Sequence, residues 1–155
     1  MNNNDVFRSI RLILNIDEAS VVNIFNLADC SIPLATVSGY LKESREPGYV
    51  ECTNEHLIFF LDGLITHRRG QSKDDQGNTK KPFSPLTNNV ILKKLRIAFD
   101  LKEDDMIELM SLADYEVSKN ELGSIFRKLG HKHYRECSDD FIMAFLVGLS
   151  FRQLH

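Results

Sequence analysis

Two cysteines stand where a reactive thiol could be built. Cys52 and Cys137 come directly before Thr53-Asn54-Glu55 and Ser138-Asp139-Asp140, patterns that read as the start of a helix. A thiol aimed at a helix N-terminus has its thiolate stabilised and its pKa lowered, which is how a nucleophile or a redox sensor is made. The base that such chemistry needs is not repeated: His56 lies four residues after Cys52, whereas His133 lies four residues before Cys137. The expectation is a small buried side chain in a tight leading turn, and reactive thiols are the competing reading.

Other constellations are thinner. A closed zinc site takes four ligands, usually as two close pairs. The nearest approach, His131, His133 and Cys137, is interleaved with Lys132 and Arg135, whose charges oppose a bound cation. No metal and no cofactor is expected. The shared charged residues are Arg11 and Arg96, Glu18 and Glu103, Asp29 and Asp114, Glu51 and Glu136. An arginine with carboxylates could do acid–base work, but it more often makes a bidentate tie that fixes helix register. Arg11 is expected to pair with Asp29 or Glu51, and Arg96 with Asp114 or Glu136. A reaction centre built from them would have to exist twice, so no catalytic residue is assigned.

Residues Asn23 to Lys42 resemble a helix-turn-helix, although Ser31 occupies the position of the usual turn glycine and the second helix opens on Pro33-Leu34-Ala35, which offers little to base edges. The second copy is richer. Ser118, Lys119 and Asn120 fall in the equivalent first turn, and Arg127, Lys128, His131, Lys132 and Arg135 follow. These seven from Lys119 to Arg135, Ser118 aside, are the candidate contacts to a partner or to nucleic acid. His67-Arg68-Arg69 and Lys80-Lys81 bracket a polar segment and read as solvated charge.

Behind these residues lies a duplication. Tyr49 to Leu64, YVECTNEHLIFFLDGL, returns as Tyr134 to Leu149, YRECSDDFIMAFLVGL, with seven of sixteen positions unchanged. The offset of 85 holds without a gap from Asn3–Gly70 to Asn88–His155, and fourteen identities fall on it. The excess length is confined to GQSKDDQGNTKKPFSPL, which has linker composition.

Each copy reads as four helices. Val6, Phe7, Ile10, Ile13 and Leu14 make a helical stripe, matched by Ile91, Leu92, Leu95, Ala98 and Phe99, with Asn4 and Asn89 as candidate N-caps. A second helix opens at Asp17 or Lys102 and ends at Leu-Ala-Asp. A third starts at Pro33 or near Ser118, with Leu34, Val37 and Leu41 matched by Lys119, Leu122 and Phe126, widened by Ile125 and Leu129. The fourth is capped by Thr53 or Ser138. Gly63 and Gly148 sit in its middle, where glycine costs about 0.5–1 kcal/mol against alanine, so a close helix crossing is expected there. Sustained period-two alternation is missing. The fold class is therefore all-α: two related four-helix modules, 1–70 and 87–155, joined by a polar linker, 71–86.

Composition bounds the partners. Apolar content of 43% and charged content of 26% are those of an ordinary globular chain, and no apolar run approaches the roughly 18 residues of a spanning helix. The charges of −3, +1 and −1 on residues 1–70, 71–86 and 87–155 show no basic excess of the kind that phosphate binding needs. Three cysteines without a C-x-x-C pair fit a reducing cytoplasm.

The duplicated module, with N-N-x-x-x-K-K-L-R-I-A-F at Asn88–Phe99, R-E-C-x-D-x-F at Arg135–Phe141 and F-L-x-G-L in both copies, resembles the bacterial domain-of-unknown-function family 1456, the YehS-like proteins. That resemblance covers nearly the full chain. It implies a small bacterial cytoplasmic protein of two tandem helical domains and transfers no activity, cofactor or catalytic residue. The resulting expectation is a non-enzymatic, macromolecule-binding module with a protein partner, and the alternative is a nucleic-acid-binding regulator that uses the second copy.

Overall fold

A computed structural model describes residues 1–70 and 86–154. Among these residues eight helices and no strands occur: α1 (Asn3–Leu14), α2 (Glu18–Leu27), α3 (Leu34–Tyr40), α4 (Asn54–Arg69), α5 (Asn88–Ala98), α6 (Glu103–Leu112), α7 (Lys119–Ile125) and α8 (Asp139–Leu154). The chain divides into two compact units between Leu86 and Thr87. Residues 71–85 of the expected linker, with Lys80 and Lys81, lie outside the described residues.

Side chains at the helix starts set the boundaries. Asn2 caps α1, accepting from Asp5 N at 2.9 Å, while the Asp5 carboxylate accepts from Asn2 N at 3.0 Å. Asp17 caps α2 by accepting from Ser20 N, and this bond holds its carboxyl below the usual range. Thr53 Oγ1 and Ser138 Oγ accept from His56 N and Phe141 N, each at 3.1 Å, as the sequence predicts for the fourth helix of each module. Helix ends repeat as well: Asn15 and Asp100 both have φ 52°, and Asp29 and Asp114 both have φ 57°. Asn and Asp tolerate this left-handed region better than other side chains, which accounts for the shared aspartates.

Within the first module Val6, Phe7, Ile10, Val21, Ile24, Phe25, Leu57, Phe60, Leu61 and Leu64 are fully buried. The core is aromatic: the Phe7 ring lies 4.7 Å from Phe60 and 5.7 Å from Tyr40, centroid to centroid, and Phe25 lies 5.6 Å from Phe60. In the second module the matching positions hold Leu92, Met110, Ile125 and Phe145, all buried. One interior is thus kept with two different sets of side chains. The expected stripe of the third helix shifts, however. Leu34 and Leu129 point to solvent, and Val37 with Tyr40, or Leu122 with Ile125, do the packing.

The fourth helix of each module crosses the second in contact at its glycine. A Cβ on Gly63 would stand 2.0 Å from the carbonyl oxygen of Ile24, and one on Gly148 would stand 2.1 Å from that of Leu109. Both are far inside van der Waals contact, so the expected close crossing is present in both copies.

Candidate functional site

The two asparagines at the start of each first helix do what the sequence did not disclose. Asn4 is not an N-cap. Asn2 holds that position, and Asn4, 1% exposed, reaches across its module from the first turn. Its Nδ2 donates to the carbonyls of Tyr40 (3.1 Å) and Val50 (2.8 Å), and its Oδ1 accepts from Cys52 N at 2.9 Å. Asn89 repeats the set with Ile125 O (3.0 Å), Arg135 O (2.8 Å) and Cys137 N (2.8 Å), while Thr87 is the cap. Asn3 and Asn88 add a bond to the carbonyl of Cys52 or Cys137, each at 3.1 Å. These clamps join the end of the third helix, the loop after it and the leading turn of the fourth. They are structural, since the amide oxygen and nitrogen of Asn4 and Asn89 are already used.

The clamp also decides the thiols. Cys52 and Cys137 are buried beneath it, and burial pushes each thiol up to about 12, with the Asp139 charge adding to the effect at Cys137. Both thus occupy the small buried position expected of them in the leading turn, and desolvation opposes the competing reading of a reactive thiol, each sulfur lying against the carbonyl of Thr53 or Ser138. Cys30, half-buried, is also raised, by burial and then by Glu55. In native protein near neutral pH, Cys52 and Cys137 should alkylate at least roughly a hundredfold more slowly than in denaturant, with Cys30 modified first. Mass-resolved labelling that found either buried thiol modified first would contradict this.

The arginine ties are corrected too. Arg11 Nε donates to Ile16 O and Arg96 Nε to Leu101 O, both at 2.9 Å, so each closes the turn after its own helix. Arg96 also lies over the Phe126 ring, 4.6 Å from its centroid. No ion pair joins Arg11 to Asp29 or Glu51, or Arg96 to Asp114 or Glu136, among the described residues. The aspartates serve at left-handed turns, and Glu51 and Glu136 are exposed.

The basic set does not share one helix. Lys119 and Asn120 open the seven-residue α7, but Arg127, Lys128, His131, Lys132 and Arg135 lie beyond its end on an exposed loop. Lys119 is 3.8 Å from Asp104, and Arg135 is 3.9 Å from Glu121. His131 Nδ1 accepts from His133 N at 3.0 Å, and their rings lie 5.6 Å apart, while Cys137 is buried. No grouping of three His, Cys, Asp or Glu that could hold a metal occurs among the described residues. Below the loop, Tyr115, Ile125, Phe141, Arg135 and Glu121 line a cleft of about 140 Å³. In the first module the corresponding Tyr40 and His56 hydrogen-bond to each other.

The feature that sequence reasoning missed is the outer face of α8. Met143, Val147 and Phe151, at i, i+4 and i+8, are 52%, 47% and 44% exposed, and Phe151 shares a shallow groove with the exposed Leu112. Asp105 and Arg152, 3.4 Å apart, rim that groove. A signal was available: α8 is apolar on every side, whereas α4 carries Ile58, Asp62 and Thr66 at the matching positions. No helix among the described residues is long and apolar enough to cross a membrane, so a bilayer-spanning role does not explain that apolarity.

Comparison with known proteins gives two matches. The family described as Protein of unknown function (DUF1456) matches residues 3–70 and again 88–153. The Uncharacterized protein YehS of Escherichia coli (strain K12) is 37% identical over 153 residues, covering 99% of this chain and 97% of that protein. No solved structure matches.

Proposed function

The chain belongs to the family of proteins of unknown function DUF1456, as two tandem copies, and from that premise we propose that it acts in the cytoplasm by binding another protein, without catalysing a reaction, through the outward face of α8. The observation that carries this reading is the stripe of Met143, Val147 and Phe151 beside Leu112, held toward solvent on a helix whose other faces are packed. Contiguous apolar surface of this kind, rimmed by charge, marks interaction sites on soluble domains. Met143 and Phe151 are of types enriched at interface cores. The clamps support the same reading, because they rigidify the module that presents the face.

A photo-crosslinking residue placed at Val147 should form a covalent adduct with protein in cells, and the same residue at the exposed Lys93 should not. Absence of any protein adduct at Val147 overturns the proposal. The nucleic-acid reading stands second because Lys119 and Arg135 already face carboxylates, leaving a short basic loop on a module of net negative charge. An adduct removed by nuclease would reverse that order.

A further inference from the structure

We infer that the loop 127–135, between α7 and α8, docks an acidic segment of the protein partner, one that carries an apolar side chain among its carboxylates; this rests on the protein-binding reading above and adds a second contact to it. The two copies make the case by differing here. Glu43, Ser44 and Pro47 of the first module stand where the second has Lys128, Leu129 and Lys132. From Arg127 to Arg135 there are four cations and two histidines without a carboxylate, whereas 42–50 holds two residues of each charge.

The first loop uses its charge on itself. Lys42 Nζ donates to the carbonyl of Pro47 at 2.9 Å, and the Glu46 carboxylate accepts from Glu43 N at 3.1 Å. The second keeps its charge outward: Arg127, Lys128 and Lys132 are exposed, and none of their side chains has a hydrogen bond or ion pair among the described residues. Arg135 is set aside, since it lies 3.9 Å from Glu121. Like charges held close together raise one another's energy, and a docked anion relieves that. The backbone fixes the arrangement. His131 N donates to Lys128 O at 3.0 Å, Tyr134 N to His131 O at 2.9 Å and Arg135 N to Ser124 O at 3.1 Å. Gly130, at φ 95°, takes the third place of the first of these turns, where a left-handed residue is needed. A loop so tied has little freedom left to lose on docking.

Leu129 decides the kind of anion. It holds the second place of that turn and is 77% exposed, more than any other large apolar side chain among the described residues. An apolar side chain flanked by cations is complemented by one flanked by carboxylates. A nucleic acid meets cations with phosphate and rings with stacked bases, and neither uses a leucine. The net charge of −1 on 87–155 also gives a phosphate chain no broad positive field.

The probe is a capped peptide, Glu-Asp-Leu-Glu-Asp, titrated into the isotopically labelled full chain and followed by amide chemical shifts. Saturable shifts centred on 127–135 are expected, with binding at least about threefold weaker at physiological than at low salt. The amide analogue, Gln-Asn-Leu-Gln-Asn, should give none. Lys128→Glu together with Lys132→Glu should weaken the peptide at least roughly tenfold, and Leu129→Ser about threefold. Arg45→Glu, in the loop of the first module, should change nothing. Shifts centred elsewhere, an amide analogue that binds equally well, or a single-stranded oligonucleotide that binds the loop more tightly than the peptide overturns the inference. In cells, a photo-crosslinking residue at Leu129 should attach to an acidic stretch of protein, identified from the mass of the cross-linked peptide, and attachment to a neutral or basic stretch also overturns it. An adduct at Val147 with none at Leu129 leaves protein binding standing without this contact, and no adduct at either position removes both.

Discussion

Gly148→Ala should destabilise the second module by about 3 kcal/mol, and Gly63→Ala the first by as much, although the same exchange ordinarily stabilises a helix by about 0.5–1 kcal/mol. The sign reverses because the new methyl has nowhere to go. It would stand 2.1 Å from Leu109 O or 2.0 Å from Ile24 O, and those are backbone atoms that cannot rotate aside. The helices must separate, and separation loosens Leu149 or Leu64, both fully buried beside the glycine. In a unit of this size the midpoint of thermal unfolding should fall by about 15 °C. Gly123 is the internal control. It lies in α7 with nothing within 4 Å of the place a methyl would take, so Gly123→Ala should raise stability by about 0.5–1 kcal/mol. Thermal melts in which all three exchanges moved the midpoint the same way would refute the close-crossing account.

Removal of the Asn4 amide should cost about 3 kcal/mol. Asn4→Ala leaves Tyr40 O and Cys52 N without their partner in buried surroundings and Val50 O without its partner in part-buried ones, and each buried orphaned group costs about 1–3 kcal/mol, offset in part by relaxation. Asn89→Ala should cost somewhat less, because Asn89 is less buried than Asn4 and water can reach the vacated groups. Asn4→Asp is the sharper probe. It keeps the shape and the acceptor but turns two donor contacts into a carboxylate facing two carbonyls, so the folded state should favour the protonated acid. A folded pKa raised above the unfolded value makes stability greatest at low pH and lost as pH rises through the folded pKa. Denaturant titrations showing Asn4→Asp as stable as the original chain at neutral pH would rule out the clamp as a source of stability.

The same glycines and asparagines divide what could be read before the structure from what could not. Gly63 and Gly148 were legible because a glycine inside a strongly periodic helix has few explanations, and the repeat supplied the same anomaly twice. The eight helices were legible for similar reasons: apolar spacing of three and four, with Asp17, Thr53, Ser118 and Ser138 at the boundaries, is information carried within one turn.

Asn4 and Asn89 were visible as a shared residue, but their partners lie 36 to 48 positions away, so local reasoning assigned the nearest local task, capping. The shared arginines failed in the opposite direction. A distant ion pair was expected, whereas the guanidinium satisfies a carbonyl five residues on. Cys52 and Cys137 were legible as small buried side chains, and they are buried, because the pattern around them is that of a tight turn leading into a packed helix. The α8 face was hidden by its own composition, since a helix apolar all round does not say which side the rest of the module leaves uncovered.

The asparagine clamp also bears on how the chain is made. In the first module its longest reach, from Asn3 to Asn54, spans 51 residues, and the matching bond in the second, from Asn88 to Asp139, spans the same distance. Neither clamp borrows a group from the other half. As the polypeptide leaves the ribosome, the first module has every component of its latch once Asn54 has emerged, while the counterpart in the second must await the start of α8.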